Sequence, residues 1–292
     1  MVSRVAIYSK EGNPRSAGVI ARLFEEFSGR GIDVLLFQKI PPEKKVNDTE
    51  KILKFSSLNE LENLPDLVLS VGGDGTFLET ALNIRTFGIP VAGVNTGRMG
   101  FLANIPEDEL DKSIDLICRG EFKVIERSLL EISEPQGLFG DEPPVALNEI
   151  TIQKTDMRMI TISVYTDNVY LNTYWADGII LSTATGSTAY NMSVGGPILS
   201  PGDQSIVISP ISSHNLTNRP IIVTGDTELR MIVEGRSCDY LATCDSRSVR
   251  IPVGKDLRIR QSSEKLKTVM LSGMDFYSTL RNKLMWGADR RN

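Results

Sequence analysis

Apolar positions along this chain follow two different periods, and the change of period divides it. In the first part, near-continuous apolar runs alternate with segments of helical spacing. Val5-Ala6-Ile7-Tyr8 predicts a buried strand, and Pro14 to Gly29 a helix with Val19, Ile20, Leu23, Phe24 and Phe27 on one face. Asp33–Phe37 predicts a second strand, followed by a polar, lysine-bearing loop. Leu67–Val71 predicts a third strand, leading to a helix capped by Thr76 and carrying Phe77, Leu78, Ala81 and Leu82. Val91–Val94 reads as another strand, and a helix follows Pro106 with Glu107, Asp108 and Glu109 in its first turn, where negative charge is favoured. Apolar strands alternating with helices predict a Rossmann-like α/β domain around a parallel sheet.

From about Leu129 the period becomes two. Ile160–Tyr165, the turn Thr166-Asp167-Asn168 and Val169–Trp175 read as a hairpin. Leu229–Val233, Tyr240–Cys244, Ser248–Ile251 and Leu257–Arg260 are further alternating runs, so the second domain is expected to be mostly antiparallel β. Asp275 to Trp286 regains helical spacing and is expected to return to the first domain. The expected division is residues 1–128 with 273–292, and residues 129–272.

Composition narrows the function classes. With 292 residues there is room for two domains, and 41% hydrophobic with 24% charged residues is ordinary globular usage. A net charge of −5 argues against broad nucleic-acid binding. Cys118, Cys238 and Cys244 fit no zinc or redox spacing and suit a reducing cytoplasm. No apolar run is long enough to span a bilayer, and the first residues lead into a strand, not a signal segment. A cytoplasmic protein without membrane or nucleic-acid partners is expected.

The chemistry concentrates at Val71-Gly72-Gly73-Asp74-Gly75-Thr76. Bare backbone at the carboxyl end of a parallel strand, opening a helix, predicts a phosphate cradle formed by Gly72, Gly73, Gly75 and Thr76. A carboxylate there would repel phosphate, so Asp74 must serve otherwise, either by taking a proton from a hydroxyl or by holding a metal ion. Asn95-Thr96-Gly97-Arg98-Met99-Gly100 falls at a neighbouring strand end. In the β half, Asn148-Glu149 offers donors and acceptors suited to vicinal sugar hydroxyls. Ser182-Thr183-Ala184-Thr185-Gly186-Ser187-Thr188-Ala189-Tyr190 places small hydroxyl residues after an apolar strand and reads as a binding segment, with a second tight turn at Gly195-Gly196-Pro197. His214, the single histidine, reads as a structural hydrogen-bonder, and Asp245 either caps a turn or faces the site.

These segments, in this order, resemble the NAD kinase family. Gly72–Thr76 matches its Gly-Gly-Asp-Gly-Thr motif, Asn95 to Leu102 its Asn-Thr-Gly…Gly-Phe-Leu segment, and Asn148-Glu149 its Asn-Glu pair. Asp177 to Tyr190 matches its Asp-Gly-strand-Thr-Gly-Ser-Thr-Ala-Tyr block, and Gly195–Pro197 its Gly-Gly-Pro. The first motif is shared with lipid kinases and phosphofructokinases; the later block together with Asn-Glu is specific. The resemblance implies transfer of a phosphoryl group from ATP, with Mg²⁺ or another divalent metal, to the 2′-hydroxyl of the adenosine ribose of NAD. It implies Asp74 as general base and Asn148 and Glu149 as the pair that holds NAD. Around the dinucleotide it implies Gly75, Phe77, Arg158, Asp177, Thr188, Ala189, Tyr190, Asn191, Met192 and Ser193. It also implies Trp175 and Arg247 as dinucleotide contacts, at positions where other members commonly carry a polar or basic residue and Gln. A homodimer or homotetramer is implied, with the site completed by a neighbouring subunit. The competing readings are a kinase of another hydroxyl acceptor, lipid or sugar phosphate, and a non-catalytic dinucleotide sensor.

Overall fold

The computed structural model describes residues 2–10, 14–37, 53–55, 57–97 and 100–286; the lysine-bearing segment, Arg98 and Met99 lie outside these. The chain forms two compact units, residues 1–126 with 266–292, and residues 127–265.

In the first unit, Leu53–Phe55, Asp33–Phe37, Arg4–Ser9, Leu67–Gly72 and Val91–Asn95 lie side by side in that order, all parallel. Each successive strand up to Leu53–Phe55 is added on one side of Arg4–Ser9, and Leu67–Gly72 then starts the other side. That reversal puts the carboxyl ends of Arg4–Ser9 and Leu67–Gly72 at a topological switch point, where open parallel sheets bind ligands. Leu67–Gly72 is buried along its whole length because both its faces are covered. Leu67, Leu69 and Val71 join the helices Pro14–Gly29 and Leu110–Arg119 in one apolar cluster. On the opposite face Ser70 meets the helix Asp74–Ile84 through a 2.8 Å hydroxyl contact with Thr80. The terminal helix Phe276–Leu284, capped by Asp275, belongs to this unit.

The second unit is a sandwich. One antiparallel sheet runs Ile221–Val223, Ile206–Ile211, Gly178–Ser182, Glu149–Lys154, Asp239–Cys244, Arg247–Pro252. The other pairs Val169–Ala176, Ile160–Thr166 and Leu229–Gly235, and the latter pairs the first part of Leu257–Leu271. Inward residues of both, such as Ile150, Ile152, Leu181, Ile162, Val164 and Met231, form one buried cluster, which is why alternation marks these strands. The hairpin turns on Asp167 and Asn168, both at positive φ, as a two-residue loop between right-twisted strands requires.

Candidate functional site

At the end of Leu67–Gly72 the helix begins at Asp74, with Gly73 as its cap. Thr76 therefore sits inside the first turn and is not the cap the sequence suggested. Its side chain instead fills the space above Gly72, where a Cβ would lie 2.4 Å from the Thr76 hydroxyl oxygen. Gly73 and Gly75 are exposed, and a Cβ on either would meet nothing within 4 Å, so packing does not demand their glycines. With a glycine cap the leading amides receive no side-chain acceptor, which leaves a positively polarised helix end beside bare backbone.

Asp74 is held by backbone. Its Oδ1 accepts N–H bonds from Leu102 (3.1 Å) and Ala103 (2.9 Å), and its Oδ2 accepts one from Phe101 (2.9 Å). One carboxylate thus fastens the segment 100–103 against the helix start, and Gly100 fits only because it lacks a side chain: a Cβ would lie 1.8 Å from Oδ1. The same segment is supported by the Asn95 amide, which donates to the Ala103 carbonyl (3.2 Å), and by Lys283, whose Nζ lies 4.4 Å from the Phe101 ring centre. Oδ1 has both lone-pair directions used; Oδ2 keeps one, and that is where a ligand hydroxyl can be received. Phe77, expected near the ligand, is 1% exposed and its ring packs under Gly93.

In the second unit the Asn148-Glu149 pair begins the strand Glu149–Lys154 and is almost buried, each residue 9% exposed. Three successive amides, those of Leu147 (2.9 Å), Asn148 (2.8 Å) and Glu149 (3.2 Å), donate to the single carboxylate of Asp245. Asp245 occupies the tight turn between two strands at φ 52° and returns its own N–H to the Glu149 carbonyl at 3.0 Å. It caps backbone and lies against the Asn148-Glu149 pair at once. Glu149 Oε2 is buried without a hydrogen-bond partner. Burial, and then the charge of Asp245, push the Glu149 carboxyl up to about 8, against a backbone N–H from Tyr190.

The hydroxyl-rich segment serves mainly as mortar for this pair. Thr183 donates its N–H to the Asn148 carbonyl (2.9 Å) and its hydroxyl to the Leu147 carbonyl (2.6 Å). Gly186 packs on the Asn148 carbonyl, 2.1 Å from where a Cβ would be. The Ser187 hydroxyl is used within the segment on the Ala184 carbonyl (2.6 Å), and Thr188, 9% exposed, donates to the Thr185 carbonyl (3.3 Å). Asn191 is fully buried: its amide donates to the carbonyls of Ser187 and Pro197 and accepts from Ser209, so its side chain shapes the turn and is closed to a ligand. Tyr190 and Ser193 are exposed, with Ala189 and Met192 half-buried beside them in the same turn.

Asp177 pairs with Lys154 at 2.5 Å. The guanidinium of Arg247 is committed to the carbonyls of Pro143 and Val145 and to Glu142, so it clamps the segment before Asn148. Arg158 donates to the Arg236 carbonyl (3.0 Å) and Trp175 is 59% exposed on an edge strand, its carbonyl taking the His214 N–H at 2.9 Å. The roles of Asp245 and Lys154 had only a turn and a charge as sequence signals, since their partners are far along the chain or across a strand pair.

Two family models match: the ATP-NAD kinase N-terminal domain over residues 22–122 and the ATP-NAD kinase C-terminal domain over residues 147–271. The chain belongs to the ATP-NAD kinase family. A NAD kinase of Flavobacterium johnsoniae is 39% identical over 99% of this chain and 100% of its own length. One from Bacteroides fragilis is 37% identical over 99% of both. A solved NAD kinase from Archaeoglobus fulgidus, in complex with ATP, shares 25% identity and superposes with a TM-score of 0.74 over 97% of this chain and 98% of that one. Yeast NADH kinase, complexed with NADH, shares the fold with a TM-score of 0.81 at 22% identity, over 98% of this chain and 88% of that one. Membership is thus carried by both halves of the chain, the Asp74 loop and the Asn148-Glu149 strand included.

Proposed function

We infer that the chain transfers the γ-phosphoryl group of ATP to the 2′-hydroxyl of the adenosine ribose of NAD, giving NADP. The observation that carries this reading is a carboxylate locked at a glycine-bare helix start, within a chain matching ATP-NAD kinases over both halves. Oδ2 of Asp74 receives the ribose proton as the oxygen attacks, while the exposed backbone of Gly73 and Gly75 meets phosphate oxygens. Asn148 and Glu149 hold the ribose hydroxyls. Tyr190, Ala189, Thr188, Ser193 and Asp177 surround the bases and linking groups of the dinucleotide.

Among the described residues no group of three or more His, Cys, Asp or Glu could hold a metal ion, and Asp74 is engaged by amides. Mg²⁺ or another divalent metal would accompany ATP, where it would neutralise charge on the phosphates. The three free cysteines support a cytoplasmic setting, and kinship supports a homodimer or homotetramer, which light scattering tests. Among the described residues no helix is long and apolar enough to cross a membrane.

Purified protein with ATP, Mg²⁺ and NAD is expected to form NADP, read by a strictly NADP-dependent dehydrogenase; no product would end this reading. Tyr190→Ala is expected to raise KM for NAD about tenfold with kcat nearly unchanged, since base–aromatic contacts contribute ~1–3 kcal/mol. A loss confined to kcat would remove Tyr190 from the binding role.

A further inference from the structure

We propose that Asp245 is a positioning residue of this site: it pins the Asn148-Glu149 pair through their own backbone and keeps the Glu149 carboxyl as a neutral hydrogen-bond donor. The proposal rests on the reading that these two residues hold the dinucleotide. Three amides in a row donating to one carboxylate fix residues 147–149 in a single orientation, with the return bond from Asp245 to Glu149 closing the arrangement. Burial pushes the Asp245 carboxyl up as well, but those three amides and the nearby Arg247 work against it and favour its anion. Glu149 has the opposite surroundings: a buried Oε2 without a hydrogen-bond partner, and one backbone N–H from Tyr190.

Two adjacent buried carboxyls cannot both ionise cheaply, so the one with three donors keeps the charge and the one with an orphaned oxygen keeps the proton. The other groups facing the pair do not reverse this. The Arg247 guanidinium lies on the Asp245 side and is committed to carbonyls and Glu142, and burial pushes the Cys244 thiol up to about 12, so it is uncharged. Ser182, the register partner of Glu149, is a hydroxyl. A neutral Glu149 donates one bond and accepts another, whereas its anion only accepts. It can therefore grip an acceptor oxygen of the dinucleotide without placing a further negative charge beside phosphates.

Glu149 loses its proton as pH rises through about 8, so kcat/KM for NAD is expected to fall on that alkaline side. In Asp245→Asn the neighbouring charge is gone, Glu149 ionises more readily, and the fall should begin lower by about one pH unit or more, with KM for NAD raised more than kcat is lowered. Glu149→Gln, permanently neutral with a donor and an acceptor, should lose the fall altogether. A wild type that makes no NADP would defeat the kinase reading itself. An active wild type with an unmoved alkaline limb in Asp245→Asn would overturn the inference while leaving that reading intact. If Asp245→Asn does not fold, Glu149→Gln still decides: a limb persisting at its original pH excludes Glu149 as its source.

Discussion

Asp74→Asn is expected to lower kcat by about 10²–10⁴-fold, the usual contribution of a general base in a proton transfer. The variant changes two things, and the structure separates them. Wild-type Asp74 faces three N–H donors with two oxygens. Asn presents one oxygen and one NH₂ group, and the NH₂ cannot accept. With the oxygen placed toward Leu102 and Ala103, the Phe101 amide confronts a donor; in the flipped orientation two amides do. Segment 100–103 is then less firmly fastened as well as the proposed base being lost. Hydrogen exchange at amides 101–103 reports the first effect and steady-state kinetics the second. The base assignment requires kcat to fall while NAD still binds with KM within a few-fold of wild type. Near wild-type turnover would remove Asp74 from proton transfer and leave it only its fastening role.

The parts of this molecule that were legible in sequence are those set by local rules. The helix Pro14–Gly29 showed its buried stripe at helical spacing, and the hairpin around Asp167 and Asn168 showed alternation on both sides of turn residues. The motifs at Asp74 and Asn148-Glu149 were legible because glycines and paired amide and carboxylate groups are chemically unusual after apolar strands. What decides how those motifs work was not legible, because it is non-local. Asp245 meets its three amides across 96 to 98 positions of chain, and Asp74 meets its own across 27 to 29. Sequence offers no sign that Asn191 turns inward to Ser209 or that Arg247 turns to carbonyls. The hydroxyl block was ambiguous in sequence for a related reason. Serine and threonine suit a ligand and a buried turn equally well, and here most of their bonds go to backbone.

Gly100→Ala tests the geometry of Asp74 without touching its chemistry. The added Cβ would lie 1.8 Å from Oδ1, 2.4 Å from Cγ and 2.8 Å from Oδ2, so the segment must retreat or the carboxylate must rotate. Either movement breaks amide bonds and displaces the oxygen proposed to receive the ribose proton. A displacement of this kind is expected to cost about 10²-fold in kcat, although every acidic and basic group remains. Overpacking at one point of a loop typically costs ~1–3 kcal/mol, so the variant should still fold. Gly75→Ala supplies the contrast within the same motif. A Cβ there meets nothing within 4 Å, and alanine is favoured over glycine inside a helix by up to about 1 kcal/mol, so stability should hold or rise. Any weakening of ATP binding in Gly75→Ala then measures approach of phosphate to bare backbone. If Gly100→Ala turned over at the wild-type rate, the fixed placement of Asp74 against segment 100–103 would have no part in catalysis.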